Sequence, residues 1–135
     1  MDKRIIYTES DKVRVIVPAD QNDLETLAAS IVPTGVDYRI TDVINIPVDR
    51  TFRDAWTDAN PGETVDVDMP KARLVHMAKI RTARDKKLDE LDKEQLSGKD
   101  VAAQKQALRD LPAVIDIDAH ATPDDLKAFW PTELD

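Results

Sequence analysis

The chain has 135 residues, which suits one domain or a small domain with an extension. It has no cysteine, which excludes disulfide bonds and thiolate metal sites, and its net charge of −8 argues against a nucleic-acid binder. No apolar run is long enough to span a membrane and no signal peptide leads the chain, so we expect no membrane contact and synthesis in the cytoplasm.

Residues 1–48 predict a small β-β-α-β unit, the first part of an α+β fold. Strands are indicated where β-branched and apolar residues concentrate between turn residues. They are expected at Arg4–Tyr7, at Val13–Val17 and over an interrupted stretch, Val36–Ile40 with Val43–Ile46. A helix is expected over Asp23–Ile31, with Asp20 or Asn22 as its cap. Because two strands alone are marginally stable, the helix must cover one face of the sheet.

Residues 49–69 predict a linking segment with one short strand. Phe52 and Trp56 are four residues apart, so a single helical turn would place both rings on one side. Turn-forming residues fill 58–62. Glu63–Asp68 alternates valine with acidic residues, a pattern typical of a short edge strand.

Residues 70–112 predict an antiparallel helical hairpin, the largest element of the chain. Pro70 suits the first turn of a helix, and no glycine or further proline follows as far as Gln95. An apolar stripe at three- and four-residue steps contains Leu74, Met77, Leu88 and Leu91, with Ile80 at its edge. Gly98 is expected to end this helix in a left-handed conformation.

The second helix of the hairpin is expected to follow Ser97, which with Asp100 has the spacing of a capping box. Its buried positions are expected to be Val101, Leu108 and Leu111. Pro112 is expected to end it. Because the first helix is the longer one, part of its stripe needs another partner. The chain's own N-terminal domain and a second protein both fit that requirement.

Residues 113–135 predict a tail that contains one short helix. Val114–Asp118 is expected to be extended. Thr122, Pro123 and the two aspartates that follow are a strong helix start, because they supply a cap, a fixed φ and negative charge at the helix N-terminus. Trp130 and the proline after it close the helix.

The residues that could carry chemistry form no recognisable catalytic arrangement. Serines and glycines are isolated, so neither a nucleophile with its base nor a phosphate-binding loop is indicated. Asp116, Asp118 and His120 would lie on one side of an extended chain and could bind a metal. Surface acids beside an exposed histidine explain the same residues, and we favour that interpretation. We therefore expect no enzyme activity, metal, cofactor or small-molecule substrate.

Several short stretches resemble small proteins of tailed bacteriophages, in particular tail-fibre assembly proteins. The clearest is Asp49–Trp56, followed by Met69–Arg73. Further similar stretches are Arg4–Tyr7, Val15–Ala19, Ile31–Ile40, Lys105–Pro112 and the pair Trp130-Pro131. Residues 104–106 depart from the family pattern, which usually has Trp-x-x-Tyr-Arg in this region.

The resemblance implies a chaperone that holds the tip of a tail fibre while the fibre trimerises. The expected partner is a phage tail fibre or another virion protein, met in the cytoplasm of the bacterial host, with retention in the virion tail left open. Residues expected to contact the partner, or to shape the contact, are Phe52, Trp56, Leu108 and Trp130, each of which also suits a core. The alternative is a structural virion subunit of the tail, neck or baseplate.

Overall fold

The computed structural model describes residues 2–58 and 64–135 of the chain. It has the α+β architecture expected from the sequence. The chain divides into two compact units, residues 1–68 and residues 69–135. The turn predicted at 58–62 lies outside the described residues except for Asp58.

An antiparallel sheet forms the base of the N-terminal unit. Its strands are β1 (Lys3–Glu9), β2 (Lys12–Ile16) and β3 (Tyr38–Asp42), in the spatial order β2-β1-β3. Ser10 and Asp11, with φ angles of 52° and 63°, make the tight turn between β1 and β2. The predicted hairpin is therefore confirmed.

The two faces of this sheet pack against different elements, because successive side chains of a strand point to opposite faces. On one face, α1 (Leu24–Ile31) packs over β1, so the helix covers the sheet as predicted. That cluster contains Ile5, Leu24 and Ala28. The other face packs against the short antiparallel strands β4 (Trp56–Thr57) and β5 (Asp66–Val67). That cluster contains Ile6, Val13, Trp56 and Val65.

The cap of α1 differs from the prediction. Asp23 caps the helix, rather than Asp20 or Asn22. It adopts a left-handed conformation with a φ of 53°, and its Oδ1 accepts a hydrogen bond from the backbone nitrogen of Thr26 at 3.4 Å. Aspartate tolerates this conformation better than most residues. The helix can therefore be capped by the residue directly before Leu24.

The prediction that the third strand resumes at Val43–Ile46 is wrong. Val43–Asn45 forms a 3-10 turn. The side-chain nitrogen of Asn45 donates back to Oγ1 of Thr41 at 3.0 Å, and the carbonyl oxygen of Asn45 accepts from the backbone nitrogen of Val65 at 2.8 Å. The third strand therefore ends at Asp42, and Ile46 packs against the cluster around Trp56.

Three helices and two 3-10 turns form the C-terminal unit. The helices are α2 (Met69–Leu96), α3 (Ala102–Val114) and α4 (Pro123–Ala128), and the 3-10 turns are Ile117–Ala119 and Thr132–Leu134. The other four elements all pack against α2. Leu91, Val101 and Leu108 make a buried cluster between α2 and α3, with Leu134 packed against it. The predicted helical hairpin is therefore present.

Gly98 ends α2 as predicted. Its φ is 100°, its nitrogen donates to the carbonyl of Gln95 at 3.0 Å, and the nitrogen of Lys99 donates to the carbonyl of Glu94 at 3.2 Å. This pair of bonds is a Schellman motif, which satisfies carbonyls at the helix end. The predicted capping box is wrong, because the hydroxyl of Ser97 donates to the same Glu94 carbonyl and so belongs to the end of α2.

The buried face of α2 differs from the predicted stripe. Ala72, His76 and Ile80, at four-residue steps, are buried, and Leu91 continues the same face. Leu74 is largely exposed. The predicted stripe therefore holds at Ile80 and Leu91 and fails at Leu74. It did not include His76, whose Nε2 lies 2.8 Å from the carbonyl oxygen of Phe129.

Of the three predictions about the segments around the ends of α3 and α4, one is confirmed and two are wrong. Pro112 lies inside α3 rather than at its end, and the nitrogen of Ile115 still closes the last turn by donating to the carbonyl of Leu111 at 3.2 Å. Val114–Asp118 is not an extended stretch, because it contains the end of α3 and the start of a 3-10 turn. Thr122 caps α4 as predicted, accepting from the nitrogen of Asp125 at 3.2 Å.

Candidate functional site

The candidate metal ligands do not form a site. Within residues 2–58 and 64–135, no group of three or more His, Asp or Glu side chains could hold an ion. Asp116 and Asp118 flank or lie in a 3-10 turn, so the one-sided projection of an extended chain is lost. The ring of His120 stacks on Phe129, with centroids 4.4 Å apart. This histidine therefore packs against the end of α4.

The four residues proposed for partner contact have different environments. Phe52, Trp56 and Leu108 are buried, with exposed fractions of 3%, 2% and 2%. They shape the surface from beneath rather than forming it. Trp130 is 40% exposed, and its ring lies edge-on to His76 with centroids 6.1 Å apart.

A groove in the N-terminal unit is the strongest candidate for a binding site, and Trp56 lies in it. Its volume is about 270 Å³. We call it the Trp56 groove, and its lining residues are Arg4, Val15, Val17, Val43, Ile46, Pro47, Val48, Arg50 and Trp56. Ligand pockets usually measure roughly 300–1,000 Å³, so this groove suits a few side chains of a partner better than a large cofactor.

The apolar part of the Trp56 groove continues the core of the N-terminal unit. Val15 and Ile46 pack against the buried cluster that contains Trp56, so the floor is fixed by core packing. At the rim, Val17 is 66% exposed and Val48 is 97% exposed. Sequence analysis did not single out these two valines. Their signal was an aliphatic residue beside a proline just beyond a strand or turn, at Val17-Pro18 and at Pro47-Val48.

The charged part of the groove is positive. Arg4 and Arg50 line it, and among residues 2–58 and 64–135 no acidic side chain belongs to the lining. Nη1 of Arg4 donates to the backbone oxygen of Lys3 at 3.1 Å, which uses one of the five N–H donors of a guanidinium. Residues 1–68 contain 7 Lys and Arg against 14 Asp and Glu, so the groove is a positive lining on an acidic unit.

Trp56 carries a buried polar group, its indole N–H. Its indole nitrogen Nε1 has no hydrogen-bond acceptor among the residues that the structure describes. Leaving a buried donor unsatisfied costs about 1–3 kcal/mol.

Two other clefts lie beside contacts within the chain. One, of about 340 Å³, lies beside the ion pair between Arg39 and Asp58. The other, of about 320 Å³, lies between α2 and α3 beside Lys87 and Leu108. There the 3-10 turn Thr132–Leu134 packs against α2, and Nζ of Lys87 donates to the backbone oxygen of Asp135 at 2.9 Å. The Trp56 groove differs from both in being lined by two arginines beside the largely exposed Val17 and Val48.

Comparisons with known proteins add no relative. Within the described part of the chain, none of the helices combines the length and apolar composition needed to cross a bilayer. No protein-family model, curated protein sequence or solved structure matches the chain.

Proposed function

We propose that this chain is a non-enzymatic protein-binding module that assists the assembly of a phage tail fibre, either as a chaperone or as an accessory protein that stays on the fibre. The observation that carries the proposal is the Trp56 groove, an apolar surface whose rim is exposed at Val17 and Val48. Contiguous exposed apolar surface is a mark of protein–protein interaction sites and ligand-binding grooves.

The groove and the phage resemblance meet in one segment. Asp49–Trp56 is the stretch most similar to the tail-fibre assembly proteins, and two of its residues, Arg50 and Trp56, line the groove. Trp56 is held there by core packing with Ile6 and Val13. The similar stretch therefore builds part of the proposed binding surface, which supports a role in binding rather than a role limited to folding.

The test is co-expression with the tail fibre encoded beside this chain. We expect the fibre to be soluble and trimeric with the wild-type chain and to co-purify with it at least transiently. Val48→Asp places a charge on the groove rim, where the side chain is exposed, and should abolish co-purification without loss of folding. Leu96→Asp is the matched control, because Leu96 is equally exposed at the end of α2. A fibre that folds without this chain, and never binds it, contradicts the proposal.

The alternative is a structural subunit of the virion tail, neck or baseplate. It is supported by two separate exposed apolar side chains of α2, Leu74 and Leu96, in the C-terminal unit. A subunit present in many symmetric copies would bury such residues against its neighbours. Quantitative mass spectrometry of purified particles separates the two functions, because a fixed high copy number indicates a subunit and absence indicates a chaperone that departs.

A further inference from the structure

From the chemistry of its lining, we infer that the Trp56 groove takes a segment of another protein in which aliphatic side chains stand next to carboxylates. This inference rests on the proposed function and specifies the partner's chemistry at the same site. It uses three features of the groove: an apolar floor and rim, two arginines, and a buried indole N–H for which the described residues supply no acceptor.

The apolar lining selects the first part of the ligand. Val15, Ile46 and Pro47 offer aliphatic surface with no polar side-chain atoms. Burying such surface gains about 25 cal/mol per Å², and the exposed Val17 and Val48 add to the area that a ligand can cover. Aliphatic side chains of a peptide fit a groove of about 270 Å³.

The two arginines select the second part. A guanidinium is a donor only and pairs best with carboxylate or phosphate oxygens. Arg4 and Arg50 both line the groove, while acidic residues outnumber basic ones twofold in residues 1–68. Nucleic acid would meet that surrounding negative charge, whereas a short acidic segment needs only the local positive lining. A carboxylate-bearing peptide is therefore the better match.

The indole of Trp56 selects an extended ligand with an available carbonyl. Nε1 is buried and lacks an acceptor within residues 2–58 and 64–135. A small displacement of the rim on binding would let a backbone carbonyl of the ligand accept from this N–H, so that a cost carried by the free protein is relieved in the complex. This hydrogen bond, and the free energy it contributes, is present only when the groove is occupied.

In the test, a random peptide library is displayed on yeast and the peptides that bind the full-length chain are selected. We expect the retained peptides to be enriched in Val, Ile and Leu beside Asp and Glu. The best peptide should bind about tenfold more weakly to the Arg4→Gln/Arg50→Gln variant, as expected for removal of two partly exposed charge-assisted contacts. Arg14→Gln/Arg53→Gln is the matched control, because it changes the net charge equally at residues outside the groove lining.

The site of binding is checked by fluorescence. The chain has two tryptophans, so Trp130→Phe leaves Trp56 as the sole indole reporter. We expect peptide addition to change the emission of Trp56 in this variant. An Asp-to-Asn version of the peptide should bind about as weakly as the arginine variant binds the original, since both remove the same charge pairing.

Several outcomes overturn the inference. They are enrichment of basic or purely apolar peptides, no enrichment, equal binding of acidic and neutral peptides, or unchanged Trp56 emission. Concentration-dependent dimerisation that Val48→Asp abolishes would identify a second copy of the chain as the occupant and also overturn it. If the fibre co-purifies through Val48 and Val17 but the selection fails, the proposed function stands and only the partner chemistry is wrong.

Discussion

The guanidinium of Arg39 meets the carboxylate of Asp58 side-on, with Nε 3.0 Å from Oδ2 and Nη2 2.7 Å from Oδ1. Arg39 belongs to β3, and Asp58 directly follows β4. The pair therefore ties the strand that carries Trp56 to the main sheet. Both side chains are mostly buried, with exposed fractions of 17% and 14%, so solvent screens the pair less than it would a surface ion pair.

We expect Arg39→Gln and Asp58→Asn each to lower the free energy of unfolding by about 2 kcal/mol, the range for hydrogen bonds to charged groups. A double-mutant cycle, measured by urea unfolding, should give a coupling of about 1–2 kcal/mol. The control is the more exposed pair Lys3–Asp42, at 2.9 Å, whose coupling should stay below about 0.5 kcal/mol. Equal coupling energies in the two cycles would show that the buried two-bond geometry of Arg39 and Asp58 adds nothing to the stability of the pair.

Leu108 distinguishes core packing from partner contact. It is buried with Leu91 and Val101, so Leu108→Ala should cost about 2–4 kcal/mol of stability. Leu96→Ala makes the same chemical change at a side chain that is 89% exposed and should stay within about 0.5 kcal/mol of wild type. Thermal or urea unfolding measures both. A stable Leu108→Ala variant that loses partner binding would instead place Leu108 in the interface.

Gly98 allows a test of backbone conformation without a steric contribution. A Cβ at this position would meet nothing within 4 Å, and the φ is 100°. We expect Gly98→Ala to cost about 1 kcal/mol, because a residue with a side chain is strained in this region. Gly98→Asn should cost less, since asparagine tolerates left-handed conformations better. Ser97→Ala, one residue earlier on the exposed helix end, is the control and should be nearly neutral. The ranking is read from urea midpoints.

The hydrogen bond of Tyr38 makes the stability of the fold depend on pH, and its contribution can be measured separately. Its hydroxyl donates to Oε2 of Glu25 at 2.6 Å, and this hydrogen bond, with smaller contributions from desolvation and the charge of Glu25, raises the pKa of Tyr38 above 10.0. The stabilisation is present below the unfolded pKa and is lost as pH rises through the folded value. In a Tyr7→Phe background, which leaves Tyr38 as the one tyrosine of the chain, an absorbance titration should show Glu25→Gln lowering the pKa of Tyr38. An unchanged titration would mean that Glu25 does not hold the hydroxyl.

Elements whose signals lie within a few residues could be predicted from the sequence. The β1–β2 hairpin, the left-handed end of α2 at Gly98 and the Thr122 cap of α4 all rest on local backbone geometry or on alternating side chains. None of these features needs a distant residue.

Burial, and with it the candidate site, was decided by contacts between residues far apart in the chain. The buried face of α2 runs through His76 because the carbonyl of Phe129, 53 positions later, accepts its hydrogen bond. The Trp56 groove joins the start of β1, the end of β2, the turn after β3 and Trp56 itself. An apolar pattern can mark Val17 and Val48 as aliphatic, but exposure depends on which distant side chains reach them. The sequence by itself therefore determined the main helices and the β1–β2 hairpin, and only the tertiary structure decided which apolar residues became core and which remained exposed.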